Sequence, residues 1–110
     1  MKENNYTLVS LCENKKDTIK KVKCYTCFSE ELNRELAVHA DCEDKNKVSV
    51  TDVLTGLRLF GIDKPLNSIE IPLIYTELEK FIKHYTLESI HKELQERPLI
   101  TEVQNNDNKQ

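Results

Sequence analysis

Glycine is nearly missing from this 110-residue chain, which has only Gly56 and Gly61. A phosphate-cradling loop needs several glycines so that its N–H groups can close on the ligand, and none can be built here. Tryptophan is absent and aromatic residues make up 6%, with Tyr25 and Phe28 the only rings beside the lysine-rich stretch. Proteins that grip single strands by stacking need more than that. No window is apolar for long enough to make a signal peptide or a membrane span. The expected setting is therefore cytoplasmic, with no membrane partner. There the four cysteines, Cys12, Cys24, Cys27 and Cys42, are expected to be thiols or metal ligands rather than disulfides. Also missing is any nucleophile, base and orienting group at a definable spacing, so the chain reads as non-enzymatic.

What remains is a polar, mixed-charge sequence with apolar content of 38% and charged content of 32%. The net charge is −3, too small to keep the chain unfolded by self-repulsion. Charge is unevenly spread: residues 1–28 carry an excess of three positive charges, and the two remaining portions, 29–47 and 48–110, an excess of three negative charges each. The length suits one domain over residues 1–100, followed by a disordered tail, TEVQNNDNKQ, over 101–110.

Periodicity predicts strands first and helices after. Tyr6–Cys12 and Thr18–Phe28 are rich in strand formers and flank a polar turn at Glu13–Asp17. Ile19 and Val22 fall three apart, which a bulge near Lys20-Lys21 would reconcile. Glu35–Cys42 alternates, with Leu36, Val38, Ala40 and Cys42 on one side and Ala37, His39 and Asp41 on the other. A polar hairpin at Glu43–Lys47 leads to Val48–Val53, and a turn at Thr55-Gly56 to Leu57–Gly61. Two stretches also carry helical spacing. Ser29 could cap a helix through Leu32, Leu36 and His39, and Thr51–Phe60 could be a helix carrying Gly56 at a cost of about 1 kcal/mol. The strand readings are preferred for both.

Past Pro72 the spacing of Ile74, Leu78, Phe81, Ile82 and Tyr85 is that of an amphipathic helix. Thr86 suits the cap of a second, Leu87–Arg97, with Leu87, Ile90 and Leu94 facing inward and Pro98 stopping it. One kinked helix would fit the same pattern. The fold class expected is α+β: an antiparallel meander of about five strands, then one or two amphipathic helices packed on one face.

Two constellations could carry chemistry. Cys24-Tyr-Thr-Cys27 and His39-Ala-Asp-Cys42 supply four soft and borderline ligands of the kind tetrahedral zinc prefers. Within a regular strand, residues three apart point to opposite faces, so each pair would need a bend. Without metal, the three cysteines are small strand residues and His39 an ordinary sheet histidine. The second constellation is Lys15, Lys16, Lys20, Lys21 and Lys23, either a protective edge or a contact for an anion or nucleic acid. His84, Glu88 and His91 share one face of a continuous helix but are read as solvated, like the mixed charges around them.

Ala37-Val38-His39, Val50-Thr51-Asp52 and Thr55-Gly56-Leu57 together resemble a pattern in small accessory proteins of phages and mobile elements. There a strand ending in AVH is followed by a strand with VTH and then TGL. The resemblance covers about a quarter of the chain and departs at Asp52, where the pattern has His. It implies an accessory protein and no activity. The function expected is accordingly a small regulatory protein that binds a protein partner, or a second copy of itself, through a sheet edge or helix face. The alternative is a zinc-stabilised module contacting nucleic acid through Lys15–Lys23.

Overall fold

In the computed structural model the described residues are 2–13 and 16–101; side chains of 2–6, 8, 10–13, 16 and 17 are left aside. Of the disordered tail expected at 101–110, Thr101 is described and helical, and 102–110 lie outside the described residues, as do Lys15 and the side chain of Cys12. Five strands, β1 (Lys2–Glu13), β2 (Lys16–Ser29), β3 (Arg34–Ala40), β4 (Val48–Asp52) and β5 (Arg58–Ile62), form one antiparallel sheet in sequence order. A single 3₁₀ turn, Leu66–Ser68, precedes the helices α1 (Ile71–Tyr85) and α2 (Leu87–Glu96). The α+β meander read from periodicity is the architecture found.

Alternation along β3 and β4 places Leu36, Val38, Val48 and Val50 on one face, all at 0% exposure. Ile74 and Leu78 of α1 and Ile90 and Leu94 of α2 pack on that face and close the core. The opposite face of the same strands is buried as well: Ala37, His39, Ser49 and Thr51 are at most 2% exposed. The one-sided burial expected of β3 is thus replaced by burial on both sides, the polar residues of the second face being satisfied by the His39–Thr51 and Ser49–Asp41 hydrogen bonds.

The strand reading of 29–42 holds because Ser29 caps a turn rather than a helix. Its hydroxyl accepts the Leu32 N–H at 3.2 Å, and Asn33 takes a positive φ of 54° to reverse the chain. Thr55-Gly56 is likewise a turn, with Gly56 at φ 72° and its N–H donating to the Asp52 carbonyl at 2.8 Å. The β1–β2 register runs unbroken from Asn5↔Cys24 to Glu13↔Lys16. No bulge occurs at Lys20-Lys21, so Ile19 and Val22 point to opposite faces; the irregularity lies between Lys2 and Asn5. The helices are separate. Thr86, at φ 68°, ends α1 and caps α2, its hydroxyl accepting the Ser89 N–H at 3.3 Å. Leu87, expected to face inward, is 38% exposed.

One ion pair ties these parts together. Asp52, 0% exposed, accepts from Arg34 Nε at 3.0 Å and from its terminal nitrogen at 2.8 Å. The same carboxylate accepts from the Thr55 N–H at 3.1 Å and hydroxyl at 2.7 Å. It therefore joins the start of β3, the end of β4 and the turn into β5. A buried carboxylate is tolerable only with such a full set of donors. Removing either partner strands a buried charge, so Asp52→Ala and Arg34→Met are each expected to cost about 3–5 kcal/mol. In urea denaturation the double variant should be less destabilised than the two losses added; full additivity would show that the pair does not act as a unit.

Candidate functional site

The described residues leave β5 at one edge of the sheet, paired with β4 alone. Between Val50 and Thr51 the β4–β5 register shifts by one residue, because Thr51 pairs with Arg58 and Val50 with Phe60. Leu59 is the extra residue of a bulge, a device that re-aims a side chain at a sheet edge. It lines a mainly apolar groove of about 330 Å³ with Leu57, Phe81, Tyr85, Ile90 and Leu94, to which Arg58, Ser89 and Glu93 add polar groups. Phe81 is held between Phe60 and Tyr85, with ring centroids 5.4 and 5.0 Å away. Tyr85 remains 54% exposed. An apolar groove thus lies alongside a strand edge whose outward N–H and C=O groups have no partner strand among the described residues.

The other face carries a polar array. Arg58 folds back over β5, where Gly61 leaves room: a Cβ at Gly61 would collide with the guanidinium. Its Nε donates to Ser49 Oγ at 3.1 Å, and Ser49 Oγ donates to Asp41 Oδ1 at 2.8 Å. The Ser49 hydroxyl bond is the leading reason that the Asp41 carboxyl titrates below its usual range. His39 uses both ring nitrogens. The Ala40 carbonyl, 2.9 Å from Nδ1, can only accept, so Nδ1 carries the proton and Nε2, 2.8 Å away, accepts from the Thr51 hydroxyl. Burial pushes the His39 pKa below its ordinary value; the Ala40 bond and Asp41 oppose that shift, and Arg58 adds to it.

The four residues with zinc-ligand spacing are dispersed. Cys24 and Cys27 lie three apart on β2, so they take opposite faces; Cys24 is 2% exposed, and Cys27 packs against the helix-covered core. Burial raises the pKa of both thiols, with Glu35 adding to it. Cys42 follows β3 in the loop and lines a crevice with Cys24. Among the described residues no three His, Cys, Asp or Glu side chains gather as a metal-holding group. Lys20, Lys21 and Lys23 are exposed on β2, on the portion that pairs with β1 only. His84 stacks edge-on against Tyr85 at 4.6 Å, and the break at Thr86 separates it from Glu88 and His91. No helix among the described residues is long and apolar enough to cross a membrane.

Spacing could not have disclosed the groove, which needs the bulge at Leu59 and the fold of both helices. The pairing of Arg34 with Asp52, 18 residues apart, is equally invisible to it. Only Asp52-x-x-Thr55 left a local trace, as an aspartate three residues ahead of a threonine at a turn.

His39 makes stability depend on pH. The unfolded chain binds its proton near pH 6.5 and the folded chain only at lower pH, so this contribution is present above about 6.5 and is lost as pH falls towards the folded value. Urea denaturation at pH 7.5 and 5.0 should give a larger drop for the wild type than for His39→Gln; equal drops would show that His39 does not titrate differently on folding. No protein-family model, curated protein or solved structure matches this chain.

Proposed function

We propose that this chain is a small non-enzymatic accessory protein, acting in the cytoplasm of a cell or within a phage or mobile-element programme, that binds a protein partner at the β5 edge. The observation carrying this reading is the apolar groove of Leu57, Leu59, Phe81, Tyr85, Ile90 and Leu94 beside that edge. Strand addition would use the β5 backbone for affinity, and the groove would take alternate side chains of the incoming segment for specificity. A short, bulged edge disfavours indiscriminate pairing, so the groove sets the choice. The entering segment is extended and apolar at alternate positions; in a homodimer it would be β5 of a second copy.

The test uses the full chain as bait, with Tyr85→Glu and Leu59→Lys alongside, and sedimentation of each. A species retained by the wild type and lost from both variants is the expected result, as is a wild-type dimer that both variants dissociate. A monomer that retains nothing, or a species held equally by all three baits, would sink the reading.

A second reading rests on the β1–β2 arm, in which Asn5–Glu13 pair with Lys16–Cys24 and no third strand joins among the described residues. Such a ribbon, with Lys20, Lys21 and Lys23 exposed, suits contact with nucleic-acid phosphates. In its zinc-stabilised form it calls on Cys24, Cys27, His39 and Cys42 as ligands, which would require both ends of the set to rearrange. For about three phosphate contacts, log affinity should fall against log salt with a slope of roughly −2 to −3, and Lys20→Glu with Lys23→Glu should flatten it. Zinc analysis of protein purified without chelator, alongside Cys24→Ser, addresses the metal. Absence of duplex and single-strand binding at low salt would remove this reading.

A further inference from the structure

The sheet has a second opening of different chemistry. β2 and β3 pair only from Tyr25↔Val38 to Ser29↔Arg34, yet β2 extends back to Lys16 and β3 forward to Ala40. Past that point the strands splay, and the loop 41–47 faces β2 across a crevice of about 520 Å³. Its cations come from both walls: Lys20 and Lys23 from β2, Lys45 from the loop. Val22, Tyr25 and Leu66 give it apolar sides, and the small residues Cys24, Ala40 and Cys42 leave its space open.

The charge within it is unbalanced. Among the described residues Asp41 is the sole carboxylate on the lining, and its oxygens are already engaged. Oδ1 takes the Ser49 hydroxyl at 2.8 Å, and Oδ2 the N–H groups of Glu43 and Asp44 at 3.2 and 3.1 Å. Among the described residues no carboxylate forms an ion pair with Lys20, Lys23 or Lys45. Lys20 and Lys23, three apart on an unbroken strand, take opposite faces of β2, so Lys23, on the face of Tyr25, and Lys45 of the loop are the pair that flanks the space. An apolar-walled crevice of small-molecule size with a cation on each wall suits a ligand with negative charge at one end and hydrocarbon at the other.

We propose that this crevice binds a small amphiphilic anion. A carboxylate or phosphate group sits between Lys23 of β2 and Lys45 of the loop, and the apolar body lies against Tyr25, which shares the face of Lys23, and Leu66. Because the lysines belong to β2 and to the loop after β3, the ligand bridges two strands that the backbone leaves apart. The site is separate from the β5 groove, and Lys45 is not on the β1–β2 arm, so neither reading above stands or falls with it.

The probe is 8-anilinonaphthalene-1-sulfonate, titrated by fluorescence against the full chain with circular dichroism on every variant. One saturable site is expected, weakened at least tenfold by Lys45→Glu and by Lys23→Glu and unchanged by Lys83→Glu on α1 or Tyr85→Glu in the groove. Ala40→Leu fills the space and should abolish binding. Lys45→Glu, altering an exposed loop side chain, keeps the test valid should Ala40→Leu fail to fold. Octanoate and octyl phosphate as competitors separate a carboxylate from a phosphate ligand. The proposal is overturned by absence of saturable binding, by wild-type affinity in both lysine variants, or by loss of binding in Tyr85→Glu. Displacement of the probe by duplex DNA with no effect of Lys45→Glu would also overturn it, assigning the lysines to nucleic acid.

Discussion

The buried carboxylate of Asp52 constrains more of this fold than any other single group. It must be neutralised and fully hydrogen-bonded where it lies, and the groups that do so come from two residues: the guanidinium of Arg34 and the hydroxyl and N–H of Thr55. Satisfying it fixes where β3 begins, where β4 ends and how the chain enters β5. The Asp52 backbone takes part too, donating to the Leu57 carbonyl at 2.8 Å and accepting from Gly56. The bulge at Leu59, and with it the apolar groove, starts two residues beyond that knot. The geometry of the β5 edge is therefore set from inside the sheet.

The two openings follow from the two ways a meander can fail to close. Among the described residues the sheet ends at β5, and helices carrying Phe81, Tyr85, Ile90 and Leu94 make a wall beside that strand. Between β2 and β3 it parts, because a 14-residue strand is paired for only five positions with a seven-residue neighbour. The first opening is apolar and adjoins free backbone; the second is cationic and lined by small side chains. Each suits a different class of ligand, and α1, whose Ile74 and Leu78 are buried in the core, separates their roles structurally by fixing the helix-covered face.

Much of the architecture was legible because local chemistry agreed with global placement. Alternation at Leu36–Ala40, the Thr55-Gly56 turn, Pro72 and the Thr86 cap each mark an element that the structure contains. Ser29 illustrates the limit: a serine that accepts an N–H three residues on begins a helix or a turn with the same bond, and Asn33 decides the outcome by reversing the chain. Burial of both faces of β3 was not legible, since His39, Ser49 and Thr51 are polar by composition and are buried through hydrogen bonds and an indirect set of neighbours. The cysteine and histidine spacing was visible, as was its conflict with a regular strand; the register of β2 shows that no bend between Cys24 and Cys27 resolves that conflict.

Strand order that follows chain order has a kinetic consequence. Every pairing in this sheet joins neighbours in sequence, so each hairpin can form with a short loop to close and little entropy to lose. The lid arrives late, since both helices that cover Leu36, Val38, Val48 and Val50 lie beyond residue 70. During synthesis a completed sheet would present that face uncovered until the last third of the chain emerges. Lys20, Lys21 and Lys23 are exposed on that growing sheet, and like charge of this kind is a common device against one sheet adding to another.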